Sequence, residues 1–491
     1  MSQYWILVAI ILPVLGGVFV PLLPFKQRKR MMIYVEAMTI LTSVIVWGVL
    51  SGGVTEVFHV VYFVEGLSIS FKIDGLTMVF AGLVSVLWPL ATLYAFEYME
   101  HEGHEKIFFM FYSMTYGVTL GIAFASDMLT MYFFYELLTL STLPLVMHTL
   151  KREAILASRK YLYYSLGGAA FAMMGLVFII VYGNTCEFML GGVLALDKIG
   201  DKTNLLLWIY LFAFMGFGVK AAIWPMSSWL PQAGVAPTPV TALLHAVAVV
   251  KAGVFAIIRL TYYSFGTEFL RGTWVQNVVM AFAMFTIVYG CSRAVKETHI
   301  KRRLAYSTVS NLSYIIFGVT IMTPMGLVGA LCHLVCHAVM KICSFLCAGA
   351  FMHQTGKSYI YEMDGIGRKM PVVFGSFTVA ALGLMGVPGL AGFISKWNLA
   401  NAAVESENTV AYFGVVALLV SALLTAIYML NIVVRAFFPK NGYNESAMKN
   451  VEDPGWKMCF PIVICAAATV ILGIFSSPLV QFFENIAAGL Y

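Results

Sequence analysis

Apolar runs of helix length follow one another along the chain, with polar stretches between them. A membrane span needs roughly 20 apolar residues. On that rule the pattern predicts fourteen spans, at about 4–24, 31–50, 75–95, 107–125, 127–149, 161–182, 204–230, 238–261, 273–291, 303–322, 325–352, 371–400, 409–434 and 458–480. The seventh and twelfth runs are too long and carry Pro- or Gly-rich interruptions, so each reads as two half-helices. Pro225, Pro231, Pro237 and Pro239 cannot share one helix, because proline lacks the N–H donor and clashes with the preceding turn. One helix therefore ends just after Lys220, and another begins near Thr238. The expected fold is an all-α polytopic membrane protein of about fourteen helices, with helices 7 and 12 broken.

Spans 4–8 can be laid over spans 9–13, which pairs broken span 7 with broken span 12 and Lys220 with Lys396. Five spans is an odd number, so consecutive units must have opposite topology. Interrupted helices at corresponding places in two inverted halves point to a transport site. The chain is accordingly divided into an N-terminal three-helix segment (1–106), a first inverted repeat (107–262), a second (273–437) and a C-terminal helix (438–491).

Composition fits this picture: 60% of the 491 residues are hydrophobic and 11% charged, against roughly 25% charged in soluble domains. The charge that remains is sorted by loop. Odd-numbered loops hold 21 of the 30 Lys and Arg and even-numbered loops hold four, Lys72, Lys198, Lys202 and Arg271. Under the positive-inside rule the odd loops face the cytoplasm of a cell inner (plasma) membrane and both termini lie on the other side. The net charge of +6 is then a topology signal, and lipid rather than nucleic acid is the expected surroundings. Residues 1–24 lack a basic n-region and precede a KQRKR run, so they read as a first span and not a signal peptide. Eight cysteines without a CxxC pair imply neither a disulfide scaffold nor an iron–sulfur site.

Five charged residues fall mid-span: Glu136, Lys220, Lys251, Lys341 and Lys396. Each costs about 2.5–3.5 kcal/mol on insertion scales, or ~12–17 kcal/mol together if unpaired. One glutamate cannot neutralise four lysines. A lysine set between burial, which disfavours its charge, and a carboxylate, which favours it, can take and give protons. His333, His337 and Lys341 fall at i, i+4 and i+8, one inward stripe of span 11. Two histidines four apart could hold a metal, but no HExxH glutamate or further carboxylate accompanies them, and no metal is expected. Cys332, Cys336, Cys343 and Cys347 form a neighbouring stripe that reads as helix packing. His245 and Lys251, six apart, do not share one face of span 8, yet both can serve one pathway at different depths. Arg259 lies near a helix end, from which it can snorkel to water. The run Glu97–Lys106 (EYMEHEGHEK) reads as a solvated loop without chemistry.

The stretches FYELLTLSTLPLVMH around Glu136, GVKAAIWPMSSWLPQAGVAPTPVTALLHAVAVVKAGV around Lys220 and Lys251, KRRLAYSTVSNLSY at 301–314 and VPGLAGFISKW at 387–397 together resemble one family. It is that of the antiporter-like membrane subunits of respiratory complex I, of Mrp-type cation/proton antiporters and of membrane-bound hydrogenases. The likeness extends over about residues 75–435. It implies fourteen helices with two inverted five-helix repeats and roles for individual residues. Glu136 matches the family's span-5 glutamate and Lys220 its partner lysine on span 7. Lys251 and His245 match the span-8 lysine and histidine, Lys341 the span-11 connecting lysine, and Lys396 the span-12 lysine of the second half-channel. The family often reads HxWLPxAH across the first break, where this chain has Ser227 and Gly234 in place of histidines. The sequence stops at Tyr491 soon after span 14, which implies a compact subunit seated between neighbours. The function implied is translocation of protons, or of Na⁺ against H⁺, within a multisubunit complex driven by redox chemistry in partner subunits, with no catalytic centre or cofactor of its own. Two alternatives remain: membership of a Mrp-type Na⁺/H⁺ antiporter with no redox partner, and a non-transporting anchor or quinone-binding scaffold.

Overall fold

The computed structural model describes residues 3–53, 56–64, 66–439 and 451–490. Lys440 and Lys449, counted above among the basic loop residues, lie outside them. Spans 1 to 6 are Tyr4–Leu22, Arg28–Ser51, Gly75–Tyr98, Glu105–Phe124, Met128–Val146 and Arg152–Tyr182. Span 7 is Thr203–Lys220 followed by a short Trp229–Ala233 helix, and span 8 is Thr238–Ala246 and then Val249–Ile258. Spans 9, 10 and 11 are Trp274–Lys296, Ile300–Ile321 and Pro324–Thr355; spans 13 and 14 are Thr409–Phe437 and Trp456–Ile474. Thirteen helical stretches are long and apolar enough to cross a membrane among the described residues. The twelfth span is not among them because it is split into Pro371–Met385 and Ala391–Glu405. A short Ser477–Ala487 helix follows span 14 and packs on spans 3 and 11.

The neighbour scheme recurs along the chain. Span 4 packs on 5, 5 on 6 and 6 on 7, and span 8 touches 4; likewise 9 packs on 10, 10 on 11 and 11 on 12, and span 13 touches 9. Span 8 joins the two groups by lying against spans 10 and 11. The apolar window of span 8 is 100% buried and those of spans 10 and 11 are 94% buried, whereas that of span 13 is 33% buried. A helix apolar all round belongs inside a bundle. The charged residues of spans 8 and 11 are thus carried by the helices furthest from lipid.

Three features differ from the sequence reading. Span 8 is broken at Val247–Ala248, where the amides of both residues bond the Leu243 carbonyl and Ala248 leaves helical geometry. Between spans 2 and 3 the chain forms an antiparallel hairpin, β1 (Phe58–Val64) and β2 (Leu67–Phe71). Ser70 on β2 donates to Asp127 Oδ2 at 2.5 Å, and Asp127 caps span 5 by accepting from Thr130 N at 2.7 Å. Arg259 does not snorkel. It is 1% exposed and grips Asp74 with two bonds, Nη1 to Oδ2 at 2.5 Å and Nη2 to Oδ1 at 2.8 Å. Asp74 in turn caps span 3 through Thr77 N at 2.9 Å, so one carboxylate is held by both a helix start and a guanidinium.

Candidate ion-translocation axis

Span 7 stops where its proline-rich tail cannot continue the helix. Its helix ends at Lys220, Ala222 turns into the left-handed region at φ +54°, and Ile223 N bonds back to Gly218 O at 3.0 Å. A helix end leaves carbonyls without partners. Here Val219 O accepts from Ala222 N at 3.0 Å within the turn and also from the buried Trp229 Nε1 at 2.8 Å. Span 8 crosses this end directly: a Cβ on Gly253 would fall 2.5 Å from Ala221 N and 3.0 Å from Lys220 Cβ, so the crossing requires glycine.

The Lys220 ammonium donates to the Tyr135 carbonyl and stands 3.4 Å from the centroid of the Tyr135 ring. Its carboxylate partner is Glu136, Oε1 at 3.9 Å, on span 5. Lys220 is 1% exposed, but the Glu136 side chain is 25% exposed at the outer surface of the chain. Tyr135 OH returns a bond to Phe217 O at 3.2 Å, which ties span 5 to the end of span 7. A cation over an aromatic face is stabilised by the ring quadrupole.

Lys251, His333, His337 and Lys341 are all fully buried. Lys251 Nζ and His337 Nδ1 are 2.9 Å apart, a direct bond from span 8 to span 11. His337 stacks on His333 at 5.8 Å between ring centroids. His333 Nδ1 pairs with Ser395 Oγ at 2.9 Å and its Nε2 with Asn311 Oδ1 at 3.2 Å. Its other face stacks on Tyr314 at 5.0 Å, and the Lys396 ammonium sits 5.4 Å from that same tyrosine ring. Lys396 donates to Leu384 O at 2.7 Å and Met385 O at 3.0 Å, the last carbonyls of the first half of span 12. Gly386, at φ +93°, makes the turn there, and a Cβ on it would come within 3.1 Å of Lys396 Cδ.

The predicted residues are therefore brought together unevenly. Lys220 with Glu136, and Lys251 with His337, are joined directly, and His333 and Tyr314 carry the line toward Lys396. Lys341 lies on the same stripe but donates to Leu304 O at 3.1 Å and to none of the others. His245 has no hydrogen-bond partner at either ring nitrogen among the described residues and packs 4.8 Å from the Phe345 ring. Between Lys220 and Lys251 the contact is backbone on backbone at Gly253. Among the described residues no carboxylate lies within ion-pair distance of Lys251, Lys341 or Lys396, and no three His, Cys, Asp or Glu cluster closely enough to hold a metal ion. The four cysteines of span 11 are free and buried. Sequence reasoning missed Tyr135, Asn311, Tyr314 and Ser395. All four lie inside quoted motifs, in FYELL, VSNLSY and FISKW, beside or near a singled-out charge.

Comparison with known proteins gives a consistent outcome. Residues 125–425 match the profile of the NADH:quinone oxidoreductase/Mrp antiporter transmembrane family, and residues 65–109 match the N-terminus of complex I chain 5. The chain is 28% identical over 454 residues to NAD(P)H-quinone oxidoreductase chain 4-2 of Synechocystis sp., covering 89% of this chain and 78% of the relative. It is 28% identical over 464 residues to a Na⁺/H⁺ antiporter protein of Alkalihalophilus pseudofirmus, covering 89% of this chain and 55% of that longer relative. Among solved structures it superimposes on a chain of an archaeal membrane-bound sulfane sulfur reductase with TM-score 0.85 at 21% identity, covering 99% of this chain and 97% of the other. A chain of the Mrp complex from Dietzia sp. gives TM-score 0.84 at 22% identity, with the same coverage of 99% and 97%.

Proposed function

We propose, for a chain that belongs to the NADH:quinone oxidoreductase/Mrp antiporter family of transmembrane subunits, that ion movement runs along the line Glu136–Lys220, Lys251, His337 and His333, Lys341 and Lys396. The chain is an antiporter-like subunit of the kind that works in multisubunit membrane complexes. The observation that carries the pathway is the fully buried Lys251–His337 bond at 2.9 Å, which couples an amine and an imidazole across the join between the two helix groups. Two groups that both accept and release protons, in contact and away from water, suit proton transfer better than they suit stability.

The mechanism is coupled electrostatics. A change in the neighbour shifts the Glu136–Lys220 pairing, Lys220 gains or loses a proton, and the change passes inward through Lys251 and His337 to Lys396. At 3.9 Å and an effective dielectric near 20, such a pair interacts by about 4 kcal/mol. Moving one charge against 100 mV requires about 2.3 kcal/mol, so the switch is large enough. His245 and His333 serve as relays beside this line, and the chain needs no cofactor of its own. The sequence divisions 107–262 and 273–437 are two inverted half-channels. The basic loops face the cytoplasm, both termini lie on the opposite side of the plasma membrane, and other antiporter-like subunits and lipid surround the chain, without nucleic acid.

Redox chemistry in partner subunits is the driving reaction favoured here, since several of the related chains are quinone oxidoreductase subunits. The second reading, a Na⁺/H⁺ exchange subunit, rests on the likeness to the Alkalihalophilus antiporter protein. Subunit composition of the purified native complex separates them: iron–sulfur, NiFe or NADH-oxidising partners against small membrane proteins alone. A scaffold that moves no ion gives no reason to keep these mid-span charges. The decisive experiment is Lys220→Arg, measured as ion uptake by vesicles holding the complex and normalised to its amount. Guanidinium keeps the charge beside Glu136 but does not release its proton. Assembly with uptake abolished is expected; near-normal uptake would overturn the carrier role.

A further inference from the structure

Spans 6, 7 and 9 leave a groove of about 640 Å³ on the side of the chain, and its walls are almost wholly apolar. Its size falls in the roughly 300–1,000 Å³ range of small-molecule sites. Tyr164, Gly167 and Phe171 of span 6 form one wall and Phe282 of span 9 the other. Val219 and Trp224, on either side of the turn that ends span 7, complete it. Trp224 N donates to Thr286 Oγ1 of span 9 at 3.1 Å, and the Trp224 ring meets Phe285 at 4.7 Å between centroids. A Cβ on Gly167 would meet nothing within 4 Å, so the groove is open where span 6 has no side chain to fill it. The Tyr164 hydroxyl is already paired with Ser228 Oγ at 2.9 Å. Phe171, Trp224 and Phe285 are all exposed, so the groove opens sideways, where the bilayer lies.

Both walls lead from the groove to the face that carries the basic loops. Phe171, Gly167, Tyr164 and Lys160 follow one face of span 6, and Phe282, Phe285, Tyr289 and Arg293 follow one face of span 9. Each stripe ends in a cation eleven positions from its innermost aromatic residue, which is about 16 Å along a helix. The hydrocarbon of one leaflet is about 15 Å deep, half of the bilayer core. Lys160 Nζ stands 5.7 Å from the Tyr164 ring centroid, and Arg293 Cζ stands 5.3 Å from that of Tyr306. Among the described residues neither cation has a carboxylate within ion-pair distance. Arg159 and Lys296, both exposed, add positive charge at the same two ends.

We propose that this groove binds one anionic phospholipid from the leaflet on the basic-loop face, with an acyl chain laid along Gly167 and Trp224 and the phosphate at the Lys160 and Arg293 end. The apolar stretch is one leaflet deep and the charge stands only at its outer end, which is the pattern of a lipid and not of a water-soluble ligand. Lipid tails are as apolar as leucine, so a tail gains little by leaving the bilayer for the groove. Selection therefore rests on the headgroup, where two unpaired cations favour a net negative charge over a zwitterion. The seated tail lies against the turn between Val219 and Trp224, beside the helix end that carries Lys220, and braces it. Occupancy of the groove is independent of which ion the axis moves.

The test places the native complex in nanodiscs with a trace of phosphatidylglycerol or phosphatidylcholine, each carrying a diazirine near the end of one acyl chain. Photo-crosslinked peptides are then mapped by mass spectrometry. Crosslinks to residues 160–171 and 219–226 should be about fivefold or more stronger from phosphatidylglycerol, as two cations beside an anionic headgroup require. Equal crosslinking by the two lipids would mark ordinary bilayer contact and overturn the site. Lys160→Gln combined with Arg293→Gln should bring the two lipids within about twofold of each other, with crosslinks elsewhere on the chain unchanged; an undiminished preference would remove the headgroup contact. A Cβ at position 167 meets nothing, so Gly167→Leu leaves assembly intact and puts its side chain where the tail lies. Groove crosslinks should then fall about fivefold or more, and unchanged crosslinking would also overturn the proposal. A neighbouring protein is the rival occupant. Photoreactive benzoylphenylalanine in place of Phe171 should capture phosphatidylglycerol, and capture of a neighbouring subunit instead would sink the lipid site.

Discussion

Two buried cations, Arg259 and Lys220, are both 1% exposed and both face a carboxylate, yet they are held in opposite ways. Arg259 takes Asp74 in a two-bond fork at 2.5 and 2.8 Å, and Asp74 is also fixed by the start of span 3. Lys220 stands 3.9 Å from Glu136, resting on a tyrosine ring and a backbone carbonyl, while Glu136 reaches the outer surface. A planar fork fixes geometry and keeps its proton; an ammonium on a flexible stem can shift partners and change protonation. Arginine stands where a charge is locked in place, and lysine stands on the axis along which ion movement is proposed. Lys396 is a third case: its charge is met by helix-end carbonyls, which are oriented dipoles that cannot swing away as a carboxylate can.

The largest test of this contrast is Asp74→Asn. Removing one partner of a buried pair costs about 3–5 kcal/mol. Assembly yield and thermal stability should therefore fall sharply, while uptake per assembled complex stays near wild type. Lost uptake with normal stability would erase the distinction. Glu136→Gln should do the reverse: stability changes by less than about 1 kcal/mol, as for a partly exposed ion pair, and uptake falls at least tenfold, ~1.4 kcal/mol in barrier terms. Trp229→Phe comes next, since it removes one of two donors to the buried Val219 carbonyl beside Lys220 and leaves only Ala222 N. A thermal shift equivalent to about 0.5–1.5 kcal/mol is expected, with a moderate loss of uptake as the end of span 7 loosens. Ala222→Gly should have the smallest effect, stabilising by up to ~1 kcal/mol because Ala222 holds a left-handed conformation. Destabilisation instead would mean that its methyl packing outweighs the strain.

Sequence made the charged residues legible because each is an expensive exception in an apolar run. It made the breaks of spans 7 and 12 legible because Pro225 and the Gly386–Gly389 stretch carry a local backbone signal. The break in span 8 carries none: AVAVVK holds neither proline nor glycine before Lys251, and the kink arises in a helix buried on every side. Tyr135, Tyr314, Asn311 and Ser395 were passed over for a related reason. An aromatic or small polar residue in a span is unremarkable until tertiary structure sets it against a lysine or a histidine. Arg259 was misread because its partner lies 185 residues away. The hairpin at 58–71 was missed because the stretch between spans 2 and 3 was read only as a connection.

The exposure of Glu136 also bears on how copies of this chain are counted in the cell. Residue 136 is the ninth of nineteen in Met128–Val146, so a chain without its neighbour leaves a charged side chain a quarter exposed at mid-span. That costs on the order of 2.5–3.5 kcal/mol, which burial against a neighbouring protein relieves. An orphan copy is thereby handicapped and an assembled one is not. The residue proposed to receive the neighbour's signal thus also favours the assembled copy over the orphan one.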